Sequence, residues 1–288
     1  MKKIFFWVFV LHICWFLYFI INKFPANNFT VTHLATKVIS VCAGLLIIGF
    51  VYWKWLRHIS ALKKTAIVLK EAFFVAYISC ALYILLGMVF NPPITITQLV
   101  SLVSGNGLSR DYVSYDQISP NMKLAVIASE DQVFPDHDGF DLKAIKLAMK
   151  YNKRHPNKVR GASTISQQVA KNVFLFQGGG FFRKGLEVFF TFTIEGIWTK
   201  RTILERYLNV AETGRGIFGV QAAARRYFNK DAKDLTRSEA AQIAACLPNP
   251  KKYTVKPLSG YVASRYDDIM RQMNNLEGDP DVQEIIKQ

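Results

Sequence analysis

The sequence Gly161-Ala-Ser-Thr-Ile-Ser-Gln-Gln-Val-Ala-Lys-Asn172 contains the start of an amphipathic helix. Thr164 and Gln167 have capping-box spacing, in which each side chain bonds the backbone N–H of the other residue. Apolar residues follow on one face of the predicted helix, at Ile165, Val169 and Val173. Its N-terminus offers free N–H groups and the positive end of the helix dipole, which suits an anion. A capped helix without any ligand explains these residues equally well.

Helical signals continue on both sides of this segment. Ser119-Pro120 resembles an N-cap followed by proline in the first turn, and Thr236-Arg-Ser-Glu239 again has capping-box spacing. Further helices are expected over 141–152 and, as one or two long helices, over 181–211. Because no stretch alternates apolar and polar residues as a half-buried strand does, we predict an all-α or α-dominated fold.

Two clusters flank the capped helix and carry groups suited to acid–base and anion chemistry. Glu130 ends an apolar helix, where a hydrophobic wall would raise its pKa toward neutrality and suit it to proton transfer. The second cluster combines two cations and a carboxylate at helical spacing: Arg183, Lys184 and Glu187. Taken singly, a solvated helix end and an intrahelical ion pair explain the two clusters as well.

The first 91 residues differ from the rest in charge and hydropathy. They hold nine Lys/Arg and one acid, whereas residues 92–288 hold 27 Lys/Arg and 20 acids. Two apolar runs of 19 residues, Ile4–Asn22 and Ala72–Phe90, are long enough to cross a bilayer as helices. Val38–Trp53 has 16 residues without charge and is either a third span or a buried core helix. We predict a membrane anchor over residues 1–91 with about three transmembrane helices, at 4–22, 38–55 and 71–90.

Basic residues orient these predicted spans. Lys2 and Lys3 precede the first run, and five Lys/Arg lie between the second and third runs. An excess of Lys/Arg marks cytoplasmic segments, so we expect a cytoplasmic N-terminus and an extracytoplasmic position for everything after Phe90. A signal peptide is disfavoured because no small-residue cleavage site follows the first run. The chain is therefore expected to be multi-pass, with its folded domain outside the cytoplasm.

The remainder of the chain divides by composition into three parts. We expect a linker over 92–115, one folded domain over 116–275 and a C-terminal tail over 276–288. About 160 residues suffice for a single hydrophobic core. Cys246 is the one cysteine after the apolar runs, and no Cys or His spacing indicates zinc, so no internal disulfide is expected in this domain.

Five motifs of the folded domain, taken together and in order, resemble glycosyltransferase family 51. They are Glu-Asp-x-x-Phe-x-x-His-x-Gly at 130–139, Gly-Ala-Ser-Thr-Ile-Ser-Gln-Gln at 161–168, Arg-Lys-x-x-Glu at 183–187, and the segments 200–209 and 219–228. The resemblance covers about residues 110–270 and is closest to members that lack a penicillin-binding domain. It implies a lysozyme-like, α-dominated catalytic domain that makes peptidoglycan glycan strands. The implied location is the bacterial cytoplasmic (inner) membrane, multi-pass, with the catalytic domain in the periplasm.

The resemblance also implies a reaction and roles for residues. A glycan on undecaprenyl diphosphate is transferred to the 4-hydroxyl of lipid II, with inversion to a β-1,4 linkage. Glu130 is then the catalytic base. Glu187 is a second catalytic carboxylate that organises the acceptor diphosphate, directly or through Mg²⁺ or another divalent cation. The expected substrate-binding residues are Asp131, His137, Ser163, Thr164, Gln167, Gln168, Lys171, Arg183, Lys184 and Asn209.

The expected partners are lipid II, the growing lipid-linked glycan, the bilayer, and other cell-wall synthesis or division proteins. Neither an organic cofactor nor a nucleic-acid partner is expected. The sequence departs from the family at Gly179, where an arginine thought to contact the donor diphosphate is common. Arg160 and Lys184 are the nearest candidate replacements.

Two other functions fit parts of this pattern. A lysozyme-like lytic enzyme that cleaves strands would need a protonated acid and a site for water. An inactive membrane scaffold of the cell-wall machinery would need neither carboxylate. The density of cations beside the second and third motifs favours transfer, because a leaving diphosphate needs cations and not a strong acid.

Overall fold

The chain forms two compact units, Met1–Leu85 and Leu86–Gln288. The structure, a computed structural model, describes residues 2–23, 43–44, 47–56, 58–176, 178 and 180–287. Each unit is described separately below.

Two helices dominate the described part of the first unit, α1 (Lys2–Lys23) and α2 (Ser60–Leu86). They contact each other through aromatic and polar groups. The Phe9 ring lies edge-on to the Tyr77 ring, with 5.2 Å between centroids, and His12 Nδ1 lies 3.0 Å from the Tyr77 hydroxyl. Among the described residues, α2 is the one helix long and apolar enough to cross a membrane, while Phe6–Phe19 and Ile47–Leu56 are shorter apolar helical stretches.

Helix α2 differs from the expected third span, 71–90, at both ends. It starts at Ser60, eleven residues before the expected start. The unbranched side chains of Lys63, Lys64 and Lys70 favour a helix, so the helix continues through this basic segment. Its 27 residues correspond to about 40 Å, which exceeds the roughly 30 Å of a bilayer core. Part of the expected second span, residues 38–42 and 45–46, lies outside the described residues.

The second unit is mostly helical, in agreement with the predicted α-dominated fold. Its helices are α3 (Ile96–Val103), α4 (Pro120–Glu130), α5 (Leu142–Arg154), α6 (Ile165–Phe174), α7 (Gly180–Ile197), α8 (Lys200–Val210), α9 (Val220–Phe228), α10 (Arg237–Cys246), α11 (Gly260–Leu276) and α12 (Pro280–Lys287).

Local helix-start signals account for several of these boundaries. The predicted capping boxes at Thr164 and Thr236 are confirmed, and Ser119 caps α4 with Pro120 in its first turn. The region 181–211 forms two helices, because Thr199 starts α8 by accepting a hydrogen bond from the Thr202 N–H.

Three very short strands also occur, β1 (Ser109–Arg110), β2 (Glu212–Gly214) and β3 (Ile217–Phe218). They form a sheet in the order β1-β3-β2, in which β1 is parallel and β2 antiparallel to β3. Strands of two or three residues are too short to produce an alternating pattern, which explains why none was expected.

Helix α4 runs through the core of this unit. All residues from Met122 to Ala128 are buried, and the helix packs against α10, α11 and α12. Helix α6 packs against both α7 and α8. The core therefore holds rigidly the two helices, α4 and α6, that carry the first two motifs.

The expected linker and tail are both folded parts of this unit. Helix α3 lies within 92–115, carries a capping box at Thr95, and packs against α6. Helix α12 lies within 276–288 and packs against α4 with three buried residues, Val282, Ile285 and Ile286. In these short segments, the helical spacing of the apolar residues indicates a folded helix, whereas composition alone did not.

Candidate active site

Glu130 is the last residue of the buried helix α4, so the core fixes its position. Its Oε2 accepts a hydrogen bond of 2.7 Å from Gln168 Nε2. Although an edge of the residue reaches the surface, protein atoms surround the carboxyl group closely enough that burial raises its pKa. The Gln168 hydrogen bond and the charges of Arg265 and Lys171 oppose this shift without cancelling it.

Helix α6 places two predicted residues beside this carboxylate, Gln168 and, one turn later, Lys171. Gln168 bonds Glu130 directly and accepts a 3.2 Å hydrogen bond from the Tyr207 hydroxyl on α8. Burial lowers the pKa of the Lys171 amine, while the negative charges of Glu187 and Glu130 raise it. Lys171 thus lies within electrostatic range of both predicted catalytic carboxylates.

Glu187 lies on α7 and is held between two cations of the same helix. Arg183 Nη1 is 2.7 Å from Glu187 Oε2, and Lys184 Nζ contacts Glu187 Oε1. Arg183 Nε also donates to the carbonyl oxygen of Gly178. Glu187 is 3% exposed, so the carboxylate is buried beneath cations that remain partly accessible. Together with Lys171, the cluster has an excess of positive charge suited to a diphosphate.

The N-terminus of α6 already holds an anion, the carboxylate of Asp131. Asp131 Oδ2 accepts a 2.9 Å hydrogen bond from the Ile165 N–H, and His137 Nε2 lies 3.0 Å from the same carboxylate. His137 Nδ1 accepts from the Gly139 N–H at 3.0 Å, which places the ring proton on Nε2, facing Asp131. Asp131 and His137 thus tie the 131–139 loop to α6, and substrate contact by these two residues stays a prediction.

Three more of the predicted substrate-binding residues have internal roles in this structure. Thr164 Oγ1 donates to the Gly139 carbonyl at 2.7 Å, and Gln167 Oε1 accepts from the Thr164 N–H. Asn209 is 0% exposed and bonds both the N–H and the carbonyl of Val113 at 3.0 Å. The expectation of substrate contact by Asn209 is corrected, because its amide is sealed inside the core. Ser163 is exposed beside the capped end of α6.

Two residues near Glu130 were not expected from the sequence. Tyr207 is buried beneath Gln168, and its hydroxyl supports the Gln168 amide. Arg265 on α11 donates to the Ser129 carbonyl at 3.4 Å, and its charge lowers the pKa of Glu130. Tyr207 falls inside the motif at 200–209, which was the one available signal, whereas Arg265 lies outside the quoted motifs.

Two cations were predicted to replace the family's arginine at position 179, Arg160 and Lys184. Gly179 lies outside the described residues. The Arg160 guanidinium stacks on the Tyr151 ring at 3.8 Å from its centroid, and Lys184 is paired with Glu187. Of these two residues, Lys184 is the one that lies beside Glu187, in the cation cluster of Lys171, Arg183 and Lys184.

The described residues do not form a divalent-cation site from protein ligands alone. Both Glu187 oxygens are bonded to cationic side chains, Arg183 and Lys184, which repel a divalent cation. Within the described ranges, no group of three or more His, Cys, Asp or Glu is arranged to hold a metal ion. Mg²⁺ commonly binds through one or two carboxylates together with waters and substrate phosphates, so a cation that arrives with the diphosphate and contacts Glu187 stays a prediction.

Comparisons with known proteins agree with this geometry. The chain matches the transglycosylase family over residues 97–274. Biosynthetic peptidoglycan transglycosylases of Escherichia coli and of Shigella boydii serotype 4 are each 58% identical to it over 174 residues, which cover 60% of this chain and 72% of each relative. The family match includes Glu130, Gln168, Lys171 and Glu187. The chain belongs to the transglycosylase family.

Proposed function

We propose that this chain is a peptidoglycan glycosyltransferase that polymerises lipid II into linear β-1,4 glycan strands for the cell wall. One observation carries the proposal: a buried carboxylate that contacts a neutral amide, Glu130, lies near a cation cluster formed by Lys171, Arg183 and Lys184. A sugar hydroxyl needs a base, and a leaving diphosphate needs cations. Family membership supports the same reaction.

Glu130 acts on the acceptor. It removes the proton of the 4-hydroxyl as the hydroxyl oxygen bonds the anomeric carbon of the donor glycan. The bond from that carbon to the diphosphate breaks, and its electron pair leaves with the diphosphate. Because the oxygen enters opposite the leaving group, the anomeric configuration inverts.

The cations act on the lipid-linked diphosphates. Arg183 and Lys184 are 18% and 45% exposed, so they can reach a ligand while remaining bonded to Glu187. Charge-assisted hydrogen bonds from such groups stabilise the charge that develops on the leaving oxygen. Glu187 fixes the direction of both side chains and limits the repulsion between them.

The cation cluster also separates transfer from strand cleavage. A raised carboxyl pKa suits a hydrolytic acid as well as a base, so Glu130 alone does not distinguish the two reactions. Hydrolysis of a sugar–sugar bond releases no diphosphate and has no use for three convergent cations. The presence of this cluster, whose member Lys171 interacts electrostatically with Glu130, therefore favours transfer.

The experiment supplies labelled lipid II to the purified full-length chain and, separately, preformed glycan strands. We expect polymer and free undecaprenyl diphosphate from the first, and no shortening of the strands. Shortened strands without polymer support the lytic enzyme. A folded chain that does neither supports the scaffold.

We further propose that the chain is multi-pass, with a cytoplasmic N-terminus and residues 54–71 in the cytoplasm. The basic residues of that segment and the apolar helix α2 support this orientation. In a variant without the four native cysteines, Ser60→Cys should resist a membrane-impermeant thiol reagent in cells with a permeable outer envelope. Ser264→Cys, exposed on α11, is the matched control and should react. Efficient labelling at position 60 would contradict the orientation.

A further inference from the structure

Tyr207 closes a chain of hydrogen bonds behind the proposed base. It lies on α8, is 1% exposed, and its hydroxyl is 3.2 Å from Gln168 Oε1. The other end of that amide, Nε2, is 2.7 Å from Glu130 Oε2. A residue 77 positions from the base along the chain thus reaches it through a single side chain.

The direction of these hydrogen bonds depends on the protonation of Tyr207. Burial raises the pKa of its phenol well above the usual value, so the hydroxyl keeps its proton and can donate it. A hydroxyl donor favours the oxygen end of the amide. With Oε1 facing Tyr207, the Gln168 NH₂ group must face Glu130.

The opposite orientation of the amide would harm the base. It would place Gln168 Oε1 against an oxygen of the Glu130 carboxylate. Because both atoms are acceptors, no hydrogen bond could form between them, and Glu130 would lose its donor. Nothing in glutamine itself distinguishes the two orientations strongly, since they have nearly the same shape. The selection must therefore come from the group on the far side.

We propose that Tyr207 is a positioning residue for the transfer reaction: its hydroxyl orients the Gln168 amide so that an N–H group always faces the Glu130 carboxylate. The inference rests on the proposed function only for its kinetic consequence. Its structural part, the control of the carboxylate by a buried hydroxyl, holds for any reaction at Glu130.

The first test is Tyr207→Phe, which keeps the ring and removes the hydroxyl. The Gln168 N–H bond stabilises the ionised carboxylate, so its partial loss should raise the pKa of Glu130. We expect the acid side of the pH–rate profile to move to higher pH, with a plateau loss of about 2- to 10-fold, the usual scale for one hydrogen bond.

Tyr115→Phe is the matched control. Tyr115 is also 1% exposed, and its hydroxyl donates to the Ile285 carbonyl at 2.7 Å; its ring lies against Lys123, about two helical turns from Glu130. This variant loses a buried phenol bond but should leave the acid side of the profile where it is. A general loss of packing would affect both variants alike.

A double-mutant cycle identifies the route of the effect. In a Gln168→Leu background, Tyr207→Phe should cause no further shift of the profile, because its target is gone. A shift that persists in that background overturns the proposal, as does an unmoved acid side in Tyr207→Phe alone.

A second measurement keeps the test independent of turnover. The side-chain carboxyl carbon of Glu130, labelled with ¹³C and assigned by its absence in Glu130→Gln, can be titrated by NMR in the full-length chain. We expect a higher pKa in Tyr207→Phe than in the wild type or in Tyr115→Phe. Equal values overturn the inference, whereas an absence of polymer from the wild type argues only against the proposed function.

Discussion

Glu130 and Glu187 are two carboxylates of one domain that protein atoms largely surround, yet their hydrogen-bond partners differ. Glu130 bonds a neutral amide and has its pKa raised by burial. Glu187 bonds two cations, Arg183 and Lys184. A carboxylate beside a neutral amide can take up a proton without losing a charged partner, whereas one between two cations holds both of them in place. In the proposed reaction, this difference suits Glu130 to proton transfer and the surroundings of Glu187 to diphosphate binding.

The two environments follow from different local structures. Glu130 ends a helix whose preceding residues are buried on every side, so hydrophobic packing controls its surroundings. Glu187 lies within a helix, where residues three and four positions earlier share its face. The environment of Glu130 therefore depends on how several helices pack together, whereas that of Glu187 depends on the spacing of residues along one helix.

Glu130→Gln should cause the largest change. Glutamine keeps the shape and can still accept from Gln168 Nε2, but it cannot take a proton. Polymerisation should fall by about 10²-fold or more, the usual scale for loss of a general base. The initial rate of lipid II polymerisation by the purified variant measures this, and near-normal turnover in a folded variant rejects the assignment.

Loss of the cations should come next. Arg183→Met should lower kcat/KM about 10- to 100-fold, because a charge-assisted hydrogen bond in a partly desolvated site contributes about 1.5–3 kcal/mol. Lys184→Met should cost less, since Lys184 is 45% exposed against 18% for Arg183. A larger loss from Lys184→Met would reverse this ranking and make Lys184 the principal diphosphate ligand.

The two carboxylates should also have opposite effects on stability. Since burial raises the folded-state pKa of Glu130, its charged form destabilises the fold above that pKa, and the penalty disappears below the ordinary carboxyl pKa. Glu130→Gln should therefore raise the unfolding temperature at neutral pH and lose this gain in acid. Glu187→Gln removes the partner of Arg183 and should lower stability by about 1–3 kcal/mol, with the lower end favoured by the exposure of Lys184.

Thermal unfolding of both full-length variants in detergent compares these effects directly. Shifts of the same sign in the two variants would show that the two environments do not differ as described.

The smallest expected effect concerns Arg265, whose charge lowers the pKa of Glu130. Arg265→Gln should raise that pKa and move the acid side of the rate profile to higher pH, with little change in the plateau. Arg271→Gln is the matched control, because Arg271 lies on the same helix and pairs with Asp268 at the surface. Equal profiles for both variants would remove Arg265 from the site.

Local patterns were the part of this structure that the sequence predicted well. The capping boxes at Thr164 and Thr236 and the proline start of α4 involve residues within one helical turn, so spacing alone defines them. The same short range explains the Arg183–Glu187 pair, which was anticipated as an intrahelical contact.

Contacts over long separations were the part that spacing could not predict. Tyr207 bonds a side chain 39 residues away, and Arg265 bonds a carbonyl 136 residues away. The anion at the α6 N-terminus proved to be Asp131, whose carboxylate accepts a hydrogen bond from the N–H of Ile165, 34 residues away. Each depends on how the helices pack, and no periodicity within one segment contains that information.

The pH dependence of lipid II polymerisation, measured for the wild type and for Glu130→Gln, tests the central claim most directly. For the wild type we predict an acid side governed by one group that ionises above the usual carboxyl range. The rate should fall again at alkaline pH as Lys171, whose pKa is lowered by burial, loses its charge. The residual activity of Glu130→Gln should lack the acid side and keep the alkaline one. An acid side at the ordinary carboxyl pKa, or one that survives in Glu130→Gln, would contradict the account.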